Sequence, residues 1–492
     1  MTTILGLSAS LRGARYGKGG ENLCVSLSKL KSQRELFDYL QHEVQALADV
    51  YERADKAGLS QVDILSSLLD ATSGNNGLSN SEAALAAGLW GALQEGVDIS
   101  YCNLARYFPE SGNTRYLEEL EIIILKSEGI ILSGPVYFGD RSSLAQEFIE
   151  FLAKNEKCRL HIQNKVYGGI SVGAKRNGGQ ETCLVYQLID LINLNMLGVG
   201  NNFTSTSQYG GTVIGGDVGT AVSDEYGMST AIDTGRRVAK IAKALSETSL
   251  PKKDTSTNIE IWLVQDDINS YGLNCIKDLV GEVTISQNTK ITIRDFTREQ
   301  IHRCIACDIC PVSTGPKQEY RCIVTKSNDL FVMNHEFLVD VDAVLLAAYS
   351  PVEKNNVSSV YQKFIERTRY LRRDDYAIGD IMVAPLVISE INSNQNLHIR
   401  MTTSLIRHHT IVHHPILAFK YNDKILEKNY VIGNMEKFVL NAEHLSRCKK
   451  SAGDEAEARD YNPIGYIISA QKKKIDIENT SKLEASLDVK TI

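Results

Sequence analysis

Four cysteines fall within nineteen residues of the 492-residue chain, in the stretch HRCIACDICPVSTGPKQEYRCIV: Cys304, Cys307, Cys310 and Cys322. A C-x2-C-x2-C run puts three thiolates on one tight loop, spaced to hold three corners of an iron-sulfur cubane. The fourth cysteine, after eleven intervening residues, can close the last corner of a 4Fe-4S cluster. Zinc sites draw instead on C-x2-C pairs in two separate knuckles, so the triple run favours iron over zinc or over plain reduced thiols. In a reducing compartment such a cluster suggests metal, not disulfides.

A second chemistry-bearing stretch lies at the start, GLSASLRGARYGKGGENLCVSL (residues 6–27). A loop rich in glycine and serine runs from an apolar strand into a helix, a geometry that offers backbone N–H groups and a positive dipole end to a phosphate. Ser8 and Ser10 add hydroxyl donors, Arg12 adds charge, and Asn22 lies where the helix is expected to begin. On spacing alone this could equally be an ordinary strand-to-helix loop. RHHTIVHHP (407–415), with His408, His409, His413 and His414, invites a metal reading. Its middle residues resemble a strand start, where alternate side chains face apart, so surface or interface histidines are expected.

The elements that must position these residues are short apolar strands alternating with helical patterns, which implies βαβ units and a parallel sheet. In the first half the expected strands are ILGLS, VDISYCNL, EGIILSG, KVYGGISVG and MLGVGNNF; in the second they are IEIWLVQ, ITIRDF, VDAVLLAAYS, GDIMVAPLVIS and IVHHPILAF. The two series align through PVYFGDRSSLAQEFIE (135–150) and PVEKNNVSSVYQKFIE (351–366), identical at eight of sixteen positions. The fold class is therefore α/β, with two tandem flavodoxin-like doubly wound domains, each a five-stranded parallel sheet in the order 2-1-3-4-5 flanked by helices. Expected boundaries are 1–248 and 257–449, with a helical insertion at about 32–96, a linker over 246–258 and a partly disordered tail from 450.

Taken together, the motifs of the first half resemble the NADPH-dependent FMN reductase family and its iron-sulfur flavoprotein branch. That resemblance assigns Ser8, Ser10, Arg12 and Asn22 to the FMN phosphate. It assigns Pro135, Val136, Tyr137 and Phe138 to a Pro-Val-Tyr loop against the isoalloxazine, and Asn177, Gly178, Gly179, Gln180 and Glu181 to the glycine-rich loop after the fourth strand. SDEYG (223–227) resembles the family's closing Asp-Glu-x-Gly. A flat apolar wall and backbone donors are what a flavin ring needs. The resemblance also implies NAD(P)H as donor, and a cysteine run after the second strand, where Cys304 to Cys322 lie. The second half lacks the Ser-x-Ser-x-Arg loop, carries Asp266 and Asp267 there, and has Glu353 and Lys354 in place of the aromatic pair, so it is expected to have lost FMN.

The reading is an NAD(P)H-dependent FMN oxidoreductase passing electrons between flavin and a 4Fe-4S cluster, the two halves forming an internal pseudo-dimer. The alternatives are a flavin-dependent reductase of a specific organic substrate, with the insertion as its lid, and a non-catalytic electron carrier. A formal charge of −7 leaves no basic footprint for nucleic acid. The apolar runs fall short of the roughly 20 residues that span a bilayer. No secretory pattern is evident, and a cytoplasmic protein with a small-molecule or redox-protein acceptor is expected.

Overall fold

The computed structural model describes residues 2–12, 18–60, 63, 77–110, 112–203, 205, 207–246, 256–306, 322–352, 357–372, 376–393 and 396–451. The first half contributes strands β1 (Thr3–Ser8), β2 (Asp98–Asn103), β3 (Gly129–Pro135), β4 (Val166–Gly173), β5 (Leu197–Gly198) and β6 (Gly211–Ile214). The second contributes β7 (Thr257–Gln265), β8 (Thr289–Asp295), β9 (Ala343–Ser350), β10 (Met382–Glu390), β11 (Ile411–Val412), β12 (Ile416–Tyr421) and β13 (Lys424–Ile425).

The main path of the sheet runs β2-β1-β3-β4-β5-β11-β10-β9-β7-β8. Each half thus has the expected order 2-1-3-4-5, and the two are joined through their fifth strands by one antiparallel pairing, Val412 with Gly198. All pairings among the first four strands of each half are parallel. The fifth strand of each half was expected to be continuous and is not. MLGVGNNF and IVHHPILAF each break after two residues, at β5 and β11, and β6 and β12 then resume pairing with β4 and β10.

Both faces of the sheet are covered, so strand residues are apolar on both sides. Along β1, Ile4 faces one layer while Leu5 and Leu7 face the other; along β7, Ile259, Ile261 and Leu263 alternate with Trp262 and Val264. The Ser-Ser of the repeated stretch starts a helix in each half. Ser142 caps Ser143–Lys154 by accepting from the Ala145 N–H, and Ser358 caps Ser359–Arg367 by accepting from the Tyr361 N–H. The shared Phe-Ile-Glu then buries Phe148 and Phe364.

The first segment after β1 departs from the expected plan. An insertion was placed at 32–96, but the helix Asn80–Leu93 is an integral crossover, buried along almost its whole length against β1, β3, β4 and the helix Glu225–Ser246. Small residues permit this: a Cβ on Gly235 would lie 1.7 Å from the Gly88 carbonyl oxygen. What is inserted therefore lies between the end of β1 and residue 80, and its main described element is the helix Gln33–Lys56. The closing helix Lys428–Ser451 packs on β7, β10 and β12. Most of the linker and all of the tail beyond Ser451, NPIGYIISA included, lie outside the described residues.

The seam between the halves is polar and specific. The Arg237 guanidinium, fully buried on Glu225–Ser246, donates to Asp380 and to the His409 carbonyl. His409 Nδ1 donates to the Asn201 carbonyl at 2.7 Å and His414 Nδ1 to the Ile192 carbonyl at 3.2 Å. The histidine run is therefore an internal interface, not a surface. His408, His409 and His413 are buried there, and burial pushes the latter two down to about 3 and about 4.

Candidate functional site

The predicted cofactor residues of the first half gather where β1, β3 and β4 end, the edge at which such a sheet binds its ligand. Ser8 closes β1, fully buried, and among the described residues its hydroxyl has no hydrogen-bond partner. It pairs in register with Ser133 of β3, so the two side chains share a face. Ser133 donates to the carbonyl of Ser81, in the first turn of Asn80–Leu93, at 2.8 Å. Ser8 is therefore beside that helix's N-terminus, with its positive dipole end. Ser10 is buried, and Arg12 is exposed with its guanidinium 5.7 Å from the centroid of the Tyr51 ring. Asn22 lies apart from this plan: the helix Lys18–Lys29 has already begun, and Asn22 sits exposed in its second turn.

After β3 the chain makes a tight turn in which Tyr137 and Asp140 exchange both backbone hydrogen bonds, at 2.8 and 2.9 Å. Phe138 and Gly139 at its tip both have positive φ, 53° and 80°. A bulky residue with positive φ is strained, and such strain gathers at functional sites. Here it thrusts Phe138 fully into solvent with Tyr137 half exposed beside it, while Pro135 and Val136 anchor the loop, the Val136 N–H donating to Val172 at 3.0 Å. An aromatic pair left uncovered on a rigid turn is available to stack on a flat ligand.

The glycine-rich loop meets that turn directly: a Cβ on Gly179, whose φ is 97°, would lie 2.7 Å from Gly139 Cα. Asn177 is also left-handed and exposed. Gln180 is buried and serves the loop's own shape. Its Oε1 accepts from the Gly178 N–H at 2.8 Å and its Nε2 donates to the Lys175 carbonyl at 2.8 Å. Arg176 of the same loop is ion-paired with Asp224 of the SDEYG stretch. Asp224 also accepts from the N–H groups of Ile214 at 2.7 Å and Gly227 at 3.1 Å. Glu181 stands exposed at the start of the helix Gln180–Asn193.

The corresponding crossing in the second half is closed by its own side chain. Asp266, just past β7, accepts from Gly272 and Leu273 at the N-terminus of the helix Tyr271–Glu282, at 2.8 and 2.9 Å, and from Asp267 at 2.8 Å. Burial raises its carboxyl above the ordinary range, opposed by these hydrogen bonds. The aromatic pair's counterparts, Glu353 and Lys354, lie outside the described residues.

Of the cluster cysteines, Cys304 and Cys322 are half-buried, and Cys307 and Cys310 lie outside the described residues. Cys304 lines a cavity of about 460 Å³ together with Arg369, Arg372, Arg407 and His408 of the second half and Tyr209 of the first. The Tyr209 hydroxyl, raised by burial, is acted on by Arg407, then by Glu181, then by Arg372. Tyr209 and Cys304 thus line one cavity, and Glu181 of the predicted flavin loop is among the charges that act on the Tyr209 hydroxyl.

The chain resembles known proteins over part of its length. The family model described as NADPH-dependent FMN reductase matches residues 72–210. That span begins just before Asn80–Leu93 and includes residues 135–138 and 177–181, but not Ser8, Ser10, Arg12 or Asn22. An iron-sulfur flavoprotein of Methanocaldococcus jannaschii is 33% identical over 149 residues, 30% of this chain and 75% of that protein. One from Methanosarcina thermophila is 26% identical over 132 residues, 27% of this chain and 64% of that protein. An NAD(P)H dehydrogenase (quinone) of Bradyrhizobium is 30% identical over 129 residues, 24% of this chain and 64% of that protein. The chain belongs to the NADPH-dependent FMN reductase family, in its iron-sulfur flavoprotein branch. It is a flavin-dependent NAD(P)H oxidoreductase, and among the described residues no helix is long and apolar enough to cross a membrane.

Sequence reasoning missed the helix Asn80–Leu93 as the first crossover, and with it Ser79 to Glu82. The signal was present. SNSE before AALAAGLWGAL is a capping box, and Ser79 and Glu82 satisfy each other's N–H groups. Glu82 is fully buried and also accepts from the Tyr101 hydroxyl.

Proposed function

We propose that the chain binds one FMN in its first half and one 4Fe-4S cluster in its second, and couples NAD(P)H oxidation to single-electron transfer toward a small-molecule or redox-protein acceptor. The observation that carries this is the shared cavity, lined by Cys304 of one half and Tyr209 of the other. The orphaned, buried Ser8 hydroxyl fits a ligand that supplies an acceptor there. When bound, flavin takes two electrons as a hydride and releases them singly, and a cluster carries one at a time.

In this reading Ser8, Ser10 and Arg12 hold the phosphate, with Asn22 the outermost contact. Pro135, Val136, Tyr137 and Phe138 wall the ring, and Asn177, Gly178, Gly179, Gln180 and Glu181 shape the loop opposite. Cys304, Cys307, Cys310 and Cys322 ligate iron. The chain then divides into units of about 1–248 and 257–449, which act as an internal pseudo-dimer.

The test is anaerobic reconstitution followed by metal and flavin analysis. The expected result is about four iron atoms per chain and one FMN. Cys304→Ser should abolish most of the iron and leave the FMN in place. Two FMN and no iron would overturn the assignment.

A further inference from the structure

The first half threads a long helix through the loop that follows β1, and that helix ends at the phosphate side of the site. Gln33–Lys56 buries Leu36, Leu40, Val44, Leu47 and Tyr51, one face at helical spacing. Its docking is close. The Glu43 carbonyl accepts from the Leu78 N–H at 3.1 Å, just before the Ser79 cap, and a Cβ on Gly219 would lie 3.3 Å from the Val44 carbonyl oxygen. Asn80 ties the same loop from the other side, donating to the Asp217 carbonyl at 2.6 Å and accepting from the Ala221 N–H at 3.1 Å.

This arrangement carries Tyr51 inward. Its side chain is 8% exposed and among the described residues its hydroxyl has no hydrogen-bond partner. The charges that act on it are Arg12 and Glu82, one from the β1 loop and one from the first turn of Asn80–Leu93. A second buried, unpartnered hydroxyl, that of Ser8, is directed to the same helix end. A Cβ on Gly6 would meet Leu89 of that helix, and Ser8 lies two residues further along the same strand face, toward the helix N-terminus. Glu82 does not oppose an anion there as a bare charge, because Ser79, Tyr101 and Asn103 all donate to its carboxylate.

We infer that Tyr51 belongs to the site for a phosphate monoester, donating its hydroxyl to the phosphate and holding Arg12 against its ring, so that the inserted helix completes the cradle begun by Ser8 and the Asn80–Leu93 N-terminus. The inference rests on the FMN reading above. It adds that the insertion is part of the cofactor site and that docking of this helix and recognition of the phosphate are coupled.

Riboflavin, which has the ring without the phosphate, separates the two. Dissociation constants for FMN and riboflavin are measured by flavin fluorescence on the full chain and on two variants. Tyr51→Phe keeps the ring under Arg12 and should weaken FMN by about 3- to 10-fold, the size of one hydrogen bond to a charged acceptor. Tyr51→Leu removes the ring as well and should weaken it by about 10- to 100-fold. Riboflavin affinity should stay within about twofold in both, which also reports that each variant is folded. Equal losses for the two ligands, or no loss of FMN affinity in either variant, would overturn the role of Tyr51 while leaving FMN binding intact. If the unsubstituted chain bound FMN no better than riboflavin, the phosphate site itself would fall, and Tyr51 with it.

Discussion

The two crossings at the ends of β1 and β7 begin alike and end differently. Each brings a helix N-terminus up to the last residue of a central strand, where backbone N–H groups have no partner within the helix. In the second half Asp266 fills that position, accepting from Gly272 and Leu273, and the loop is complete by itself. In the first half no carboxylate directly follows the strand, and Ser8 is buried with a hydroxyl that has no hydrogen-bond partner among the described residues. The same place thus carries a carboxylate in one half and a serine in the other, and on the reading proposed above only the serine's side is left for a phosphate. Asp266 makes to these N–H groups the hydrogen bonds that a bound anion would make.

The largest expected effect concerns what holds the halves together. Arg237 is the first half's buried charge on the seam, and Asp380 of the second answers it. Arg237→Ala removes a buried guanidinium that Asp380 answers and should cost about 3–5 kcal/mol in urea or thermal unfolding. A loss below about 1 kcal/mol would mean that the seam does not depend on this pair.

Next comes pH, where the asymmetry runs the other way because the seam histidines all belong to the second half. His409 and His413 are held neutral by burial, with folded values of about 3 and about 4, below their ordinary 6.5. The unfolded chain therefore binds more protons between those values and 6.5, so stability rises with pH across that window and levels off above it. Lowering pH from 7.5 to 5.5 should remove about 1 kcal/mol per histidine, read from urea midpoints. His413→Gln should flatten part of that slope, and an unchanged slope would locate the titration elsewhere.

The smallest effect tests the comparison most directly. Asp266→Ala strips the acceptor from three N–H groups and should cost about 1–2 kcal/mol of stability. Flavin content should remain one per chain, because the second half also lacks the Ser-x-Ser-x-Arg loop. Uptake of a second FMN would show that the carboxylate alone keeps that half closed.

The sheet order of both halves was legible because apolar strands buried on two faces announce themselves, and PVYF against PVEK fixed which strands correspond. The two fifth strands were misread as continuous. What breaks them is a set of contacts between halves, such as Asn201 with His409, that no local pattern records. The histidine run was read as surface or interface, and only the packing of the other half against it decides for the interface. The insertion was placed too far along because Asn80–Leu93 is apolar on all sides, with little periodicity to mark a face, although its capping box was visible. Tyr51 was invisible for another reason: its meaning depends on Arg12, thirty-nine residues earlier in the chain.

The reversed join of β5 to β11 has a consequence for how such a molecule can change. When two identical chains meet about a twofold axis, every substitution is made twice, and an acidic residue that closes one cradle closes both. On a single chain the change is made once. Aspartate can shut one crossing while serine keeps the other open, and a cysteine loop can serve one side without crowding its mirror image. On the reading proposed above, the covalent link frees each half from having to be good at the other's task.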